Sequence, residues 1–310
     1  MSGIDAELRL MLKACDQYYR RGLTHTEIAA NLGTTRFAVA RMLKAALDDG
    51  LVTVKILEPE SLHPELERAL EDEYGVRTAL VIDDDELTSE EIRNRVADAA
   101  GRYLLQTISG GDVVGVSLGT TIQAFVDQLP IRMPRQVEVV QLVGGHSTVL
   151  SAQLAARSKT RPYLLHAPAV VTDSSVRDLL LADQENQSTV RMFKQVSIAV
   201  LGVGALTGDA TSRLLAEGII DARLHRSLVA QGAVGDVLAY VFDSEGNVIP
   251  TGFEDRLIGI PLPEFRQIPL RVGVAAGLAK VGAIAGALRG GLVNVMVVDA
   301  RTAAAILSRT

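Results

Sequence analysis

Ser117-Leu118-Gly119-Thr120-Thr121 is the stretch of this chain best suited to hold an anion, because it leaves a Val-rich run at Val113 to Val116 and leads directly into a helical pattern. Gly119 lets the backbone come close, the threonine hydroxyls donate, and the first turn of a helix offers unpaired N–H groups at the positive end of its dipole. That is the chemistry of phosphate binding. The Gly-Lys-Ser/Thr ending of a nucleotide P-loop is missing, and a Thr-capped turn that binds nothing is the alternative. Three further strand exits carry polar or glycine-rich loops. Gly144-Gly145-His146-Ser147 follows Val137 to Val143, and His146 can hydrogen-bond a ligand hydroxyl or simply face solvent. Gly202-Val203-Gly204 follows Ser197 to Leu201; Thr207 stands where a dinucleotide fingerprint needs its third glycine, so close backbone packing or ligand contact is the better reading. In the fourth region, Gly232 to Asp236 precedes Phe242-Asp243, and Lys280 follows Arg271 to Ala275. Asp243 can accept two sugar hydroxyls and Lys280 can neutralise a phosphate, unless the two form a mutual salt bridge with no ligand.

Loops of this kind need a scaffold that gathers strand ends, and the pattern from Val76 onward supplies one. Apolar, β-branched runs at Thr78 to Ile82, Val113 to Val116, Val137 to Val143, Ser197 to Leu201, Leu238 to Phe242, Arg271 to Ala275 and Val293 to Val298 read as strands. Between several of them lie helical patterns, at Ser89 to Ile108, Thr121 to Gln128, Ser174 to Phe193, Asp209 to Glu217, Val281 to Arg289 and Thr302 to Ser308. Near-continuous strands separated by amphipathic helices predict an α/β body with a mostly parallel sheet covered on both faces. Asp243 to Pro269 lacks a clear period and reads as hairpin and loop. Ligands in such folds sit beyond the carboxyl ends of the strands, where the four loops fall.

The first 57 residues have a different texture. His25 to Lys44 reads as a helix-turn-helix: Ile28, Ala29 and Leu32 face one way, Gly33 makes the turn, and Val39, Met42 and Leu43 resume helical spacing. Thr24 and Glu27 make a capping box, and Thr34 or Thr35 caps the second helix. An opening helix from Ala6 to Arg21, with Leu8, Leu12, Cys15 and Tyr19 at helical spacing, is expected to support the pair. Leu51 to Ile56 is strand-like, as in a winged variant, and Glu58-Pro59-Glu60 is a linker. This organisation places a DNA-reading domain at 1–57 and an effector and oligomerisation domain at 58–310. Thr34, Thr35, Arg36 and Phe37 start the recognition helix where side chains reach base edges, while Arg41 and Lys44 lie where phosphate is the partner. A plain helical hairpin, or an arm used only for oligomerisation, are the competing readings.

Charge agrees with this division. The chain carries a net −6, yet residues 1–57 hold eight Lys or Arg against six Asp or Glu, so the body holds 23 against 31. A mildly basic head on an acidic body favours specific over indiscriminate DNA binding. At 310 residues and 48% hydrophobic composition the body can bury a large core. Cys15 is the only cysteine, which excludes an intrachain disulfide and a cysteine-rich zinc site and makes a reducing, cytoplasmic setting the default. The first residues lack the apolar run of a signal peptide, and the most apolar stretch, Val272 to Leu288, is interrupted by glycines and Lys280, so no membrane anchor is expected.

Together these residues resemble the SorC/DeoR-type sugar-binding transcriptional regulators. The likeness runs from Tyr19 and Gly22, through Thr26 to Ala29, Leu32-Gly33, Arg36, Val39, Arg41 and Leu43, to GVSLGTT at 115–121 and QLVGG at 141–145. It continues through HAP at 166–168, GVG at 202–204, GAVGDV at 232–237, FDSEG at 242–246, Lys280 with its following helix, and VVD at 297–299. The resemblance implies a winged-helix-like reader joined to an effector domain related in fold to sugar-phosphate isomerases and deaminases. It also implies a phosphorylated sugar or polyol as effector, and dimers or tetramers on palindrome-like operator DNA. Carried over, a phosphate would meet Gly119, Thr120, Thr121 and Lys280, with Ser117 in the same loop, while Gly145, Asp243 and His146 would face the sugar. Some relatives hold their ligand through a Schiff-base lysine; this chain has none at the Gly145 loop, so reversible binding is expected, and an unphosphorylated sugar alcohol remains an alternative. No catalytic residue, metal or cofactor is assigned. The rival class is an isomerase- or deaminase-like enzyme using Asp236, Asp243, His146 and Lys280 as acid–base groups, but fold likeness alone confers no activity.

Overall fold

The computed structural model describes residues 3–49, 51–52, 63–129, 136–145, 149–158, 160–207 and 213–309. By contacts the chain divides into two units, Met1–Pro59 and Glu60–Thr310.

In the first unit, helix α1 (Gly3–Cys15) runs into a π-helical turn at Asp16–Arg20, followed by α2 (His25–Leu32) and α3 (Arg36–Asp48). Local chemistry sets both ends of α2. The Thr24 hydroxyl accepts from the Glu27 N–H, the Glu27 carboxylate accepts from the Thr24 N–H at 2.8 Å, and Gly33 closes the helix at φ 65°. Thr35, rather than Thr34, caps α3 by accepting from the Ala38 N–H at 3.2 Å. Ala14, Cys15, Ile28, Ala29, Val39, Leu43 and Ala46 form the buried core, with Met11 and Met42 packed against it. Of the stripe expected on the opening helix only Cys15 is buried: Leu8, Leu12 and Tyr19 are exposed, Tyr19 within the π-helical turn after α1, and Ala14 joins Cys15 in the core. Small residues win that face because they let α1 approach the crossing pair closely. The wing strand expected at Leu51 to Ile56, and the linker after it, lie almost wholly outside the described residues.

In the second unit a six-stranded sheet has the order β1-β9-β8-β4-β2-β3, all parallel. Its strands are β1 (Thr78–Ile82), β2 (Val113–Val116), β3 (Glu138–Gln141), β4 (Ile198–Gly202), β8 (Leu270–Val274) and β9 (Val295–Asp299). The remaining strands, β5 (Gly204–Ala205), β6 (Ala233–Val237) and β7 (Tyr240–Asp243), form a small antiparallel sheet of their own. Leu238 to Phe242 therefore belongs to a hairpin and not to the parallel sheet. The helices are α4 (Pro64–Tyr74), α5 (Ser89–Thr107), α6 (Thr120–Gln128), α7 (Val149–Ser158), α8 (Ser174–Ala182), α9 (Gln184–Met192), α10 (Arg213–Ala216), α11 (Ala222–Ala230), α12 (Leu262–Gln267), α13 (Val281–Arg289) and α14 (Ala300–Leu307). The pattern at Ser174 to Phe193 is two helices because Asp183 leaves helical geometry and its carboxylate accepts from the Glu185 N–H, restarting the chain as α9. The stretch read as loop before Pro269 contains the short helix α12.

Two cores flank the parallel sheet. Val295 and Val297 of β9 join one core with α5 and α6, whereas Met296 and Val298 join the other with α4, α13 and α14. Alternation along a strand buried on both faces produces this split. The edge strand β1 is shielded by α4: the Glu71 and Glu67 carboxylates accept from the Ala79 and Val81 N–H groups, each at 2.9 Å.

Candidate functional site

Strand β2 continues to β3 on one side of the sheet, and β4 continues toward β8 on the other, so the chain changes direction between two adjacent strands. An open crevice forms beyond the carboxyl ends of strands at such a switch point. Here the loop after β2 meets the end of β4: the Gly202 N–H donates to the buried Ser117 hydroxyl at 3.0 Å. Above this junction opens a cleft of about 560 Å³ lined by the Ser117–Gln123 segment, Leu150, Gly202 to Ala205, Arg213, Ala216, Glu217, Asp236, Leu238 and Lys280.

One wall is the start of α6. Gly119 occupies the N-cap position at φ 137°, where a Cβ would be strained, and no side chain caps the helix. The site for a Cβ is open, so conformation and not clearance calls for glycine there. The first N–H groups of α6 lack a capping partner and line the cleft with Thr120, which is exposed, and Thr121, which is buried.

The opposite wall carries charge. Lys280 ends a short 3-10 turn at Leu278–Lys280 and reaches the cleft partly buried, and its ammonium makes no hydrogen bond or ion pair among the described residues. Burial pulls its ammonium pKa down, while Asp236 opposes that shift. Asp236 is 4% exposed, and one carboxylate oxygen, Oδ1, is buried with no hydrogen-bond partner among the described residues. Burial pushes its carboxyl pKa up; Arg213, the Ala239 N–H and Lys280 act in the opposite direction. Gly204 pairs with Asp236 across β5 and β6, and a Cβ at Gly204 would overlap Oδ1. Arg213 is itself held by Glu217 at 2.8 Å. Among the described residues the cleft thus offers uncapped N–H donors and an ammonium with no hydrogen-bond or ion-pair partner, beside the buried carboxylate of Asp236.

Ser117, Gly119, Thr120, Thr121 and Lys280 all line this one cleft. Asp243 does not. Its carboxylate closes its own hairpin turn by accepting from the Glu245 and Asn247 N–H groups and the Asn247 side chain, so it is spent on local structure. No Asp243–Lys280 salt bridge exists among the described residues. Gly145 also lies off the lining; its N–H donates to the Ala167 carbonyl at 3.0 Å, and a Cβ there would overlap Leu118. His146 and the start of the segment expected as a helix at Asp209 to Glu217 lie outside the described residues. Sequence reasoning passed over Arg213, Glu217 and Leu150, whose segments carry no distinctive spacing. Asp236 stands in the fourth loop region and among the rival enzyme's acid–base groups but not among the expected ligand contacts, although its place directly after Gly235 in GAVGDV signals a packed, close-approach position.

The residues expected to read DNA lie on the first unit. Thr35, Arg36, Phe37, Arg41 and Lys44 are exposed on α3, opposite the buried Val39, Leu43 and Ala46, and Thr34 is half-buried beside the turn. The Arg36 guanidinium stacks over the Phe37 ring, 4.8 Å from its centroid. Among the described residues no helix is long and apolar enough to cross a membrane, and no cluster of His, Cys, Asp and Glu is arranged to hold a metal.

Comparison with known proteins matches residues 60–308 to the family described as "Putative sugar-binding domain". The chain is 31% identical over 308 residues to the deoxyribonucleoside regulator of Bacillus subtilis, covering 97% of each. It is 27% identical to the sorbitol operon regulator of Klebsiella pneumoniae, covering 97% of this chain and 98% of that protein. The crystal structure of that full-length regulator superposes with a TM-score of 0.74 at 26% identity, covering 97% of this chain and 98% of the other. A DeoR family transcriptional regulator from Listeria monocytogenes gives 0.72 at 28% identity over 78% of this chain and 98% of its own. These relatives are regulators and not enzymes, which sets aside the isomerase-like reading of the body. A helical N-terminal unit, a parallel α/β body and this end-to-end likeness make the chain a transcriptional regulator of the SorC/DeoR-type family, with a sugar-binding domain as its body.

Proposed function

We propose that the cleft binds a sugar phosphate, or a sugar or polyol, reversibly, and that this ligand sets the affinity of the N-terminal head for operator DNA. One observation carries the reading: the uncapped start of α6 and the unpaired Lys280 line the same cleft. A phosphate there accepts from the α6 N–H groups and the Thr120 hydroxyl and neutralises Lys280. Asp236 lines the cleft where Asp243 does not, and its carboxylate is the acceptor for a sugar hydroxyl. On the head, α3 enters the major groove, with Arg36 paired to a guanine and Arg41 and Lys44 on phosphates. Two heads in a homodimer or tetramer read a palindrome-like site. The ligand shifts operator affinity by its differential affinity for the two subunit arrangements.

The test is a thermal-shift screen of the full chain against sugars, polyols and their phosphates, since a ligand selective for the native state raises its melting temperature. Lys280→Met removes a charge-assisted contact worth about 1.5 to 3 kcal/mol, a roughly ten- to 150-fold loss of affinity confined to phosphorylated ligands. Thr120→Val acts in the same direction. An unaltered response in both variants removes these residues from the site, and operator affinity unmoved by every bound ligand removes the coupling.

A further inference from the structure

Arg36 and Phe37 are the first two helical residues of α3, and Phe37 is 67% exposed, turned away from the buried face formed by Val39, Leu43 and Ala46. Arg36 is exposed as well, and its guanidinium makes no ion pair or hydrogen bond among the described residues, lying instead over the Phe37 ring. The ring braces the guanidinium from one side and leaves its N–H groups free, and these are the groups that pair with guanine O6 and N7. With Arg36 in the plane of a guanine, a ring stacked on its face lies at the level of the neighbouring base pair. The apolar group that the major groove offers an aromatic ring there is the thymine C5 methyl. We infer that Phe37 reads a thymine methyl in the base pair adjacent to the guanine taken by Arg36, so that the two side chains recognise one dinucleotide step together. This rests on the DNA-reading role proposed above.

The experiment uses the full chain and an operator selected from a library of random duplexes. In the selected duplex each thymine is replaced in turn by deoxyuridine, which removes only the methyl, and each guanine by 7-deazaguanine, which removes N7. Wild-type binding weakens about fourfold per half-site at one thymine, the value of one buried methyl. That thymine adjoins the guanine whose 7-deaza replacement no longer matters to Arg36→Ala. Phe37→Ala, at an exposed position that leaves folding intact, binds the thymine and deoxyuridine duplexes equally; Phe37→Leu keeps part of the preference. A methyl effect that persists in Phe37→Ala, or its absence from wild type, overturns the inference and leaves operator binding standing. Failure of the chain to enrich any duplex, with salt-independent retention, overturns the DNA-reading role itself.

Discussion

Asp236→Asn should make the ligand-free protein more stable and a poorer sensor. Asp236 is almost wholly buried, its Oδ1 has no donor, and Lys280 and Arg213 only partly offset the desolvation of its carboxylate. An unsatisfied buried polar atom costs about 1 to 3 kcal/mol, and more when charged. Asparagine keeps the shape, an oxygen for the Ala239 N–H and an unpartnered polar atom while removing the charge, so only the part of that penalty owed to the charge is recovered, a gain of about 1 kcal/mol at pH 7.5. For a unit of this size each kcal/mol moves Tm by roughly 2 to 4 °C. The sign of the pH dependence follows from the raised carboxyl pKa. Between its unfolded and folded pKa values this carboxyl binds more protons in the native state, so its own contribution to stability is most favourable at low pH and falls as pH rises through the folded value. The gap between variant and wild type must therefore close on acidification, beginning above the ordinary carboxylate range. The assay is paired thermal melts of the two proteins from pH 8 to pH 4, followed by ligand titration at neutral pH. The same substitution removes a charge-assisted acceptor and weakens effector binding by roughly ten- to 150-fold. A variant less stable than wild type at pH 7.5, or a gap that does not change with pH, would refute the view that Asp236 is held at a cost for the ligand.

Other consequences are local. Ala239 sits at φ 69° in the turn that joins β6 to β7, beside Leu238 at φ 55°; Ala239→Gly relieves left-handed strain and should stabilise the protein by about 0.5 to 1 kcal/mol, read by denaturant melts. Glu67→Ala and Glu71→Ala uncap the sheet edge, so amide exchange at Val81 and Ala79 respectively should accelerate, with a loss of about 0.5 to 1.5 kcal/mol each. Lys44→Ala should weaken DNA binding nearly uniformly across sequences and lower the slope of log affinity against log salt by about 1 per head, whereas Arg36→Ala should relax specificity at one base position.

Helix ends, strand runs and strand-exit loops were legible because their causes lie within a few residues. Thr24, Glu27 and Gly33 bound α2 by local hydrogen bonds and one positive φ. The Ser117 to Thr121 loop announced itself by standing between an apolar run and a helical one. Periodicity reads less well where two faces compete: the opening segment has an apolar stripe at Leu8, Leu12, Cys15 and Tyr19, yet of these only Cys15 is buried, together with the small Ala14. Small side chains allow a close crossing that no hydrophobicity pattern records.

The sequence by itself therefore determined the elements, the two-part organisation and the loop that begins α6. Which loops share a cleft was a tertiary decision, because strand order places the exits of β2 and β4 side by side at the switch point. The choice between Asp236 and Asp243 was settled in the same way. Asp236 pairs with Val241 near the turn of the β6–β7 hairpin, and Asp243 pairs with Ala233 at its other end. Three residues of strand carry a side chain roughly 10 Å, enough to leave one carboxylate in the cleft beside Gly204 and the other closing a turn. Residue type was equal at the two positions; only antiparallel pairing made them different.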